Sequence, residues 1–159
     1  MATTGKGDQK PLNELLAAAS IALDATASSR DDAIRLAGAG LLAAGAIDEP
    51  YIDAMIDREN SVSTFMGDGV AIPHGTLAAN DAVKTDALSL VRIPTGVDWD
   101  GHDVRIVFGI AAKGNGHIAL LSQLATVLMD PAKAAALRDA TTIEQVYELL
   151  ERENVRIEP

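Results

Sequence analysis

The sequence predicts a single α/β domain in which helices stand before, between and after a few short strands. Its 159 residues suit one globular unit with a continuous core. Segments with the 3.6-residue helical period alternate with short apolar runs bounded by Gly, Pro and Asp, the order that builds a layered α/β domain. The apolar fraction is 48% while aromatic residues make up 3%, so Ala, Leu, Ile and Val must fill the space between layers.

Residues 1–10 are polar and form the expected flexible leader, with residues 11–155 as the expected domain. PLNELLAAAS suits a short helix with Pro11 in its first turn, and SIAL, residues 20–23, a brief strand. In SRDDAIRLAGAGLLAAG, Ser29 is placed to cap a helix. Asp31 and Asp32 fall in its electropositive first turn, Ala33, Ile34, Ala37 and Leu41 share one face, and Gly45 stops it. DEPYIDAMIDREN follows as a second helix, with Asp48 as N-cap, Pro50 early, Ile52, Met55 and Ile56 on one face, and Arg58 in the last turn.

Gly67-Asp68-Gly69 signals a turn. VAIP reads as a short strand, TDALSLVRI (85–93) as a longer one, and PTGVDWDGHD as a loop carrying a hairpin around Trp99. RIVFGIAA (105–112) is apolar throughout, as a central strand covered on both faces requires. After the break at Gly114-Asn115-Gly116, a helix from His117 to Met129 carries Ile118, Leu121, Leu124, Ala125 and Leu128 as its buried stripe. Short helices at 131–139 and 142–152, the latter opened by Thr142, complete the reading.

Charge and composition exclude several functions. The formal net charge is −10 and no Lys/Arg cluster is present, which argues against binding a phosphate backbone. The chain has no cysteine, hence no disulfide framework, thiolate nucleophile or Cys-based metal site. The start lacks the apolar core of a signal peptide, and Leu36 to Ile47 is too short and too rich in Ala and Gly to span a bilayer, so a cytoplasmic protein with no direct membrane insertion is expected. P-loop, GxGxxG and GxSxG signatures are absent, and the spacing of His74, His102 and His117 matches no zinc motif.

Of the three histidines, His74 is the best specified. Pro73 fixes its own φ, lacks an N–H to continue a ladder and biases Ile72 toward an extended conformation, so the VAIP strand must end where the imidazole begins. Gly75 then permits close approach of a ligand or another backbone. His117 stands in the first turn of a helix, where unpaired N–H groups attract anions and a neutral imidazole is favoured. Either an oxyanion contact or a solvated position suits it. Arg58 is a candidate counter-charge for a phosphate, although a cation at a helix C-terminus is also favoured structurally. His102, in the polar DWDGHD loop, reads as solvated.

IDRENSVSTFMGDGVAIPHG, residues 56–75, resembles the phosphorylation-site signature of the mannitol/fructose class of enzyme IIA components of the bacterial phosphoenolpyruvate-dependent sugar phosphotransferase system. An acidic residue, Glu59, is followed after six residues by Met66-Gly67-x-x-Val70-Ala71-Ile72-Pro73-His74-Gly75, which fits at every position. DDAIRLAG (31–38), AMIDREN (54–60), FGIAAKGNGHI (108–118) and TTIEQVYELL also look like the mannitol type, so that the resemblance covers roughly residues 20–152. The segment from Lys113 to Gly116 departs from it, the mannitol type having bulkier, more polar residues there.

The resemblance implies a mixed sheet with helices on both faces. It also implies a phosphohistidine carrier in which His74 matches the phosphorylated residue, His117 the second histidine that supports the phosphoryl group, and Arg58 the arginine near it. The implied donor is the small histidine-containing phosphocarrier protein, and the implied acceptor a cysteine of enzyme IIB, which works with membrane enzyme IIC. Having neither cysteine nor membrane span, this chain is expected to meet both as separate chains. No cofactor is expected. A fructose-specific or nitrogen-regulatory enzyme IIA is the alternative within the same family.

Overall fold

The computed structural model describes residues 12–113 and 116–150. The expected leader, Pro11, Gly114, Asn115 and the last residues of the expected final helix lie outside them. In chain order the elements are α1 (Leu12–Leu15), β1 (Leu16–Ala22), α2 (Arg30–Ala43), α3 (Pro50–Ser61), β2 (Phe65–Gly67) and β3 (Val70–Ala71). A 3-10 turn (Leu77–Ala82), β4 (Ala87–Trp99), β5 (His102–Ala111), α4 (Gly116–Leu128), α5 (Pro131–Asp139) and α6 (Ile143–Leu150) follow.

The five strands form one mixed sheet in the order β1-β4-β5-β3-β2. β1 runs parallel to β4, β4 antiparallel to β5, β5 parallel to β3, and β3 antiparallel to β2. Helices cover both faces. On one, Ala33, Ile34, Ala37 and Leu41 of α2 with Tyr51 and Met55 of α3 pack on Val91, Ile93, Trp99 and Val107 of the sheet. On the other, Leu120, Leu124 and Leu128 of α4, Leu137 of α5 and Val146 and Leu150 of α6 cover Leu88, Leu90, Ile106, Phe108 and Ile110. β5 thus buries side chains in both directions, the reason its sequence is apolar without alternation.

Local chemistry explains the helix ends. The Ser29 hydroxyl accepts the Asp32 N–H at 3.0 Å and opens α2. Gly45, at φ 74°, turns the chain out of it. Gln145 and Thr142 exchange hydrogen bonds at the start of α6 in a capping-box arrangement.

Several expectations are corrected. The segment 11–20 is not one helix: α1 stops at Leu15, and the alanine run enters β1, where parallel pairing with β4 outweighs helix propensity. β2 is an additional strand. The PTGVDW segment is not a loop but the continuation of β4, carried past Pro94 and Gly96 by a register shift between Arg92 and Val97. The hairpin at Trp99 does form, turning through Asp100 and Gly101. Asp48 is not the N-cap of α3. Glu49 takes that place without a side-chain bond, and Asp48 pairs with Lys84 at 3.3 Å. The innermost residues of α3 are Tyr51, Met55 and Glu59, with Ile52 and Ile56 half-buried beside them. In α4, Leu120 joins the buried stripe, while Leu121 and Ala125 lie at its margin.

Candidate functional site

Because β3 and β5 are adjacent and parallel, the segments leaving their carboxyl ends emerge on the same side of the sheet. In open α/β sheets that edge is where ligands bind. His74 follows β3 there, and the connection out of β5 leads to α4, whose first turn contains His117. The topology therefore brings the two histidine-bearing segments to one end of the sheet, 43 positions apart in sequence (117 − 74). The His117 side chain lies outside the described residues.

His74 is half-buried and bridges Ile110 of β5 in parallel register. The Ile110 N–H donates to the Pro73 carbonyl at 3.1 Å. His74 Nδ1 stands 3.1 Å from the Ile72 carbonyl oxygen, which has only lone pairs to offer. The hydrogen bond requires the proton on Nδ1, so in the neutral ring Nε2 carries the lone pair.

Two α3 residues that the sequence did not single out as site residues hold this loop. The Gly75 N–H donates to Tyr51 Oη at 2.8 Å, and Tyr51 Oη donates to the Ile110 carbonyl at 2.9 Å. Gly75 is required by space. A Cβ there would lie 2.7 Å from Tyr51 Cζ, too close for any real contact. Burial pushes the Tyr51 phenol above the ordinary tyrosine range, with the Gly75 N–H acting in the opposite direction.

Glu59, the acidic position of the signature, is 2% exposed. Its carboxylate accepts from Thr64 N (2.8 Å), Thr64 Oγ1 (2.6 Å), Trp99 Nε1 (2.9 Å) and Ser63 Oγ (3.2 Å). The Thr64 carbonyl accepts the Ile72 N–H at 3.1 Å, and the Ile72 carbonyl accepts from His74 Nδ1. A continuous hydrogen-bonded path thus runs from a buried carboxylate to the imidazole. Its signal in the sequence was the i, i+4, i+8 spacing of Tyr51, Met55 and Glu59, which puts all three on one helical face.

Arg58 sits in the last turn of α3, as expected. Its Nη1 donates to the Val62 carbonyl at 2.8 Å, closing the helix end. It lies seven positions after Tyr51 (58 − 51), about 10 Å along the helix axis. His102 is exposed at the start of β5, and its ring stacks on Phe65 with centroids 4.1 Å apart. Among the described residues no three His, Asp or Glu side chains converge to hold a metal ion. None of the described helices is long and apolar enough to cross a membrane.

The fold and this edge define a class of small α/β protein that presents one oriented histidine at the carboxyl ends of parallel strands. Residues 14–153 match the family model of the phosphoenolpyruvate-dependent sugar phosphotransferase system, EIIA 2. The mannitol-specific phosphotransferase enzyme IIA component of Staphylococcus aureus is 41% identical over 140 residues, covering 88% of this chain and 97% of that one. The Bacillus subtilis protein of the same description is 38% identical over 142 residues, covering 89% and 99%. Among solved structures, the crystal structure of IIA mannitol from Escherichia coli aligns with a TM-score of 0.79 and 35% identity, over 85% of this chain and 98% of that one. The enzyme IIA of the E. coli complex with phosphorylated enzyme IIB, both mannitol-type, aligns with the same TM-score at 34% identity, over 86% and 98%. The chain belongs to the EIIA 2 family and is a component of a sugar phosphotransferase system.

Proposed function

We propose that this chain is the phosphoryl carrier of a mannitol-type phosphotransferase system and that His74 Nε2 is the atom phosphorylated. The observation that carries the reading is the bond from His74 Nδ1 to the Ile72 carbonyl, which directs the lone pair of the neutral ring to Nε2. In the forward step Nε2 forms a bond to phosphorus as the P–N bond to the histidine of the small phosphocarrier protein breaks, and the electron pair of that bond returns to the donor ring. The phosphorylated imidazole is cationic with a proton on Nδ1, so its bond to the Ile72 carbonyl becomes charge-assisted. In the second step a thiolate sulfur of enzyme IIB takes the phosphoryl group and the pair returns to Nε2, for delivery to mannitol or a related polyol through the membrane enzyme IIC.

Positioning and electrostatics supply most of the acceleration in such transfers. His117, at the first turn of α4, is the proposed donor to a phosphoryl oxygen, and Arg58 the proposed counter-charge, which it supplies by leaving Val62 for the phosphoryl group. No cofactor takes part. The mannitol assignment over the nitrogen-regulatory branch rests on degree of likeness. The mannitol-specific components of S. aureus and B. subtilis are 41% and 38% identical. Among solved structures the E. coli mannitol enzyme IIA is 35% identical at a TM-score of 0.79, whereas the nitrogen regulatory protein IIA-Ntr from Neisseria meningitidis is 25% identical at 0.72.

The test is incubation with phosphoenolpyruvate, enzyme I and the phosphocarrier protein, read by intact-mass spectrometry. Wild type should gain one phosphoryl group and His74→Ala none. Label retained in the alanine variant would overturn the assignment.

A further inference from the structure

We infer that Tyr51 is a positioning residue for His74, its hydroxyl ending the β3–β5 ladder one residue after the histidine and so setting the angle at which the ring is presented. The inference rests on the phosphocarrier reading for its kinetic consequence but on geometry alone for its structural one. In a regular parallel ladder, a residue bridged to Ile110 is held by two bonds. The Ile110 N–H goes to the carbonyl before it, and the N–H after it goes to the Ile110 carbonyl. The first bond is present, from Ile110 N to Pro73 O at 3.1 Å. In place of the second, a phenol oxygen is inserted. The Gly75 N–H donates to Tyr51 Oη at 2.8 Å, and Tyr51 Oη donates to the Ile110 carbonyl at 2.9 Å.

The peptide units on both sides of His74 are therefore tied to the same residue of β5, one directly and one through the hydroxyl. A phenol suits this place because it donates and accepts at one atom, and burial favours the protonated form that the relay needs. The interposed oxygen adds a second hydrogen-bond length between the strands on the Gly75 side. It props the chain away from β5 where the imidazole leaves the sheet. Gly75 completes the device, because the face of the Tyr51 ring occupies the space a side chain would need.

Tyr51→Phe removes one atom and leaves the ring in the core. The Gly75 N–H and Ile110 carbonyl must then close directly on one another or go unpaired, and either result turns the His74 backbone. In phosphoryl transfer from the phosphorylated phosphocarrier protein, kcat should fall about tenfold or more, as expected when a reacting group is displaced. KM for that donor should stay unchanged, since the encounter surface is intact. In the unphosphorylated protein, nitrogen-15 spectra of the His74 ring should show loss of the dominant Nδ1–H tautomer in the variant. Ring fluorination of tyrosine in the otherwise unmutated chain, which alters the strength of both phenol bonds while keeping the fold, should shift the His74 ring nitrogens.

A folded Tyr51→Phe protein with wild-type kcat, or with wild-type His74 ring signals, overturns the role. So do ring signals indifferent to fluorination. Wild type that accepts no phosphoryl group overturns the phosphocarrier reading instead, and the spectra of the unphosphorylated ring still decide the positioning of His74.

Discussion

α2 and α3 lie on the same face of the sheet and bury one stripe each, yet the stripes differ in kind. That of α2 is small and apolar. Ala33, Ile34, Ala37 and Leu41 are fully buried, and the helix approaches the sheet closely enough for Ser89 Oγ to donate to the Ala37 carbonyl at 2.7 Å. That of α3 has polar residues at both ends, Tyr51 holding Gly75 and Glu59 holding Thr64, with Met55 the fully buried apolar residue between them. The helices touch through Gly38, where a Cβ would meet Ile52 Cγ1 at 2.6 Å. One helix anchors the sheet and the other aims the histidine, so stability and function should separate along this pair.

The largest effect that would break this contrast is in the last turn of α2. Leu41→Ala should lower the free energy of unfolding by about 2–5 kcal/mol through lost burial and a residual cavity. Phosphoryl transfer per folded molecule should stay at the wild-type level, measured by denaturant unfolding alongside the transfer assay. A loss of transfer in the folded fraction would show that α2 also shapes the site.

Glu59→Gln in α3 should cost less in stability and more in function. A carboxylate taking four donors is replaced by an amide that can accept at one end only, so about 1–3 kcal/mol is expected. The shift of Thr64 should pass through Ile72 to His74 Nδ1 and slow the transfer. Unchanged transfer with reduced stability would make Glu59 a fold residue only.

The smallest effect concerns alkali and sharpens the role of Tyr51. Below about pH 10, the ordinary tyrosine value, folded and unfolded chains both keep this proton. Above it the unfolded chain releases the proton first, so stability falls as pH rises until the raised folded value is passed. Tyr51 should therefore ionise late in a phenolate absorbance titration. That late component should be missing from Tyr51→Phe, and its persistence there would overturn its assignment to Tyr51.

Local signals carried much of this structure. Ser29, Pro50 and Gly45 mark helix ends by capping, fixed φ and positive φ, which act within a few residues and so are legible in one dimension. The unbroken apolar run of β5 announced a strand covered on both sides. Where pairing with a distant segment decides, local signals mislead. The alanine run at residues 17–19 favours a helix until β4 lies beside it, and PTG looks like a turn until β5 pairs across the register shift.

The candidate site divides in the same way. Pro73, His74 and Gly75 are adjacent, so their covalent stereochemistry alone ends a strand and displays a ring, and the signature around them was visible without coordinates. Which ring nitrogen carries the lone pair, and what holds the loop, depends on the Ile72 carbonyl, on Ile110 from another strand and on Tyr51 from a helix 23 positions before His74 (74 − 51). Hydrogen bonds demand placement to within a few tenths of an ångström. Sequence periodicity states which face a residue occupies, whereas only the packed helix and sheet bring its oxygen to the right atom.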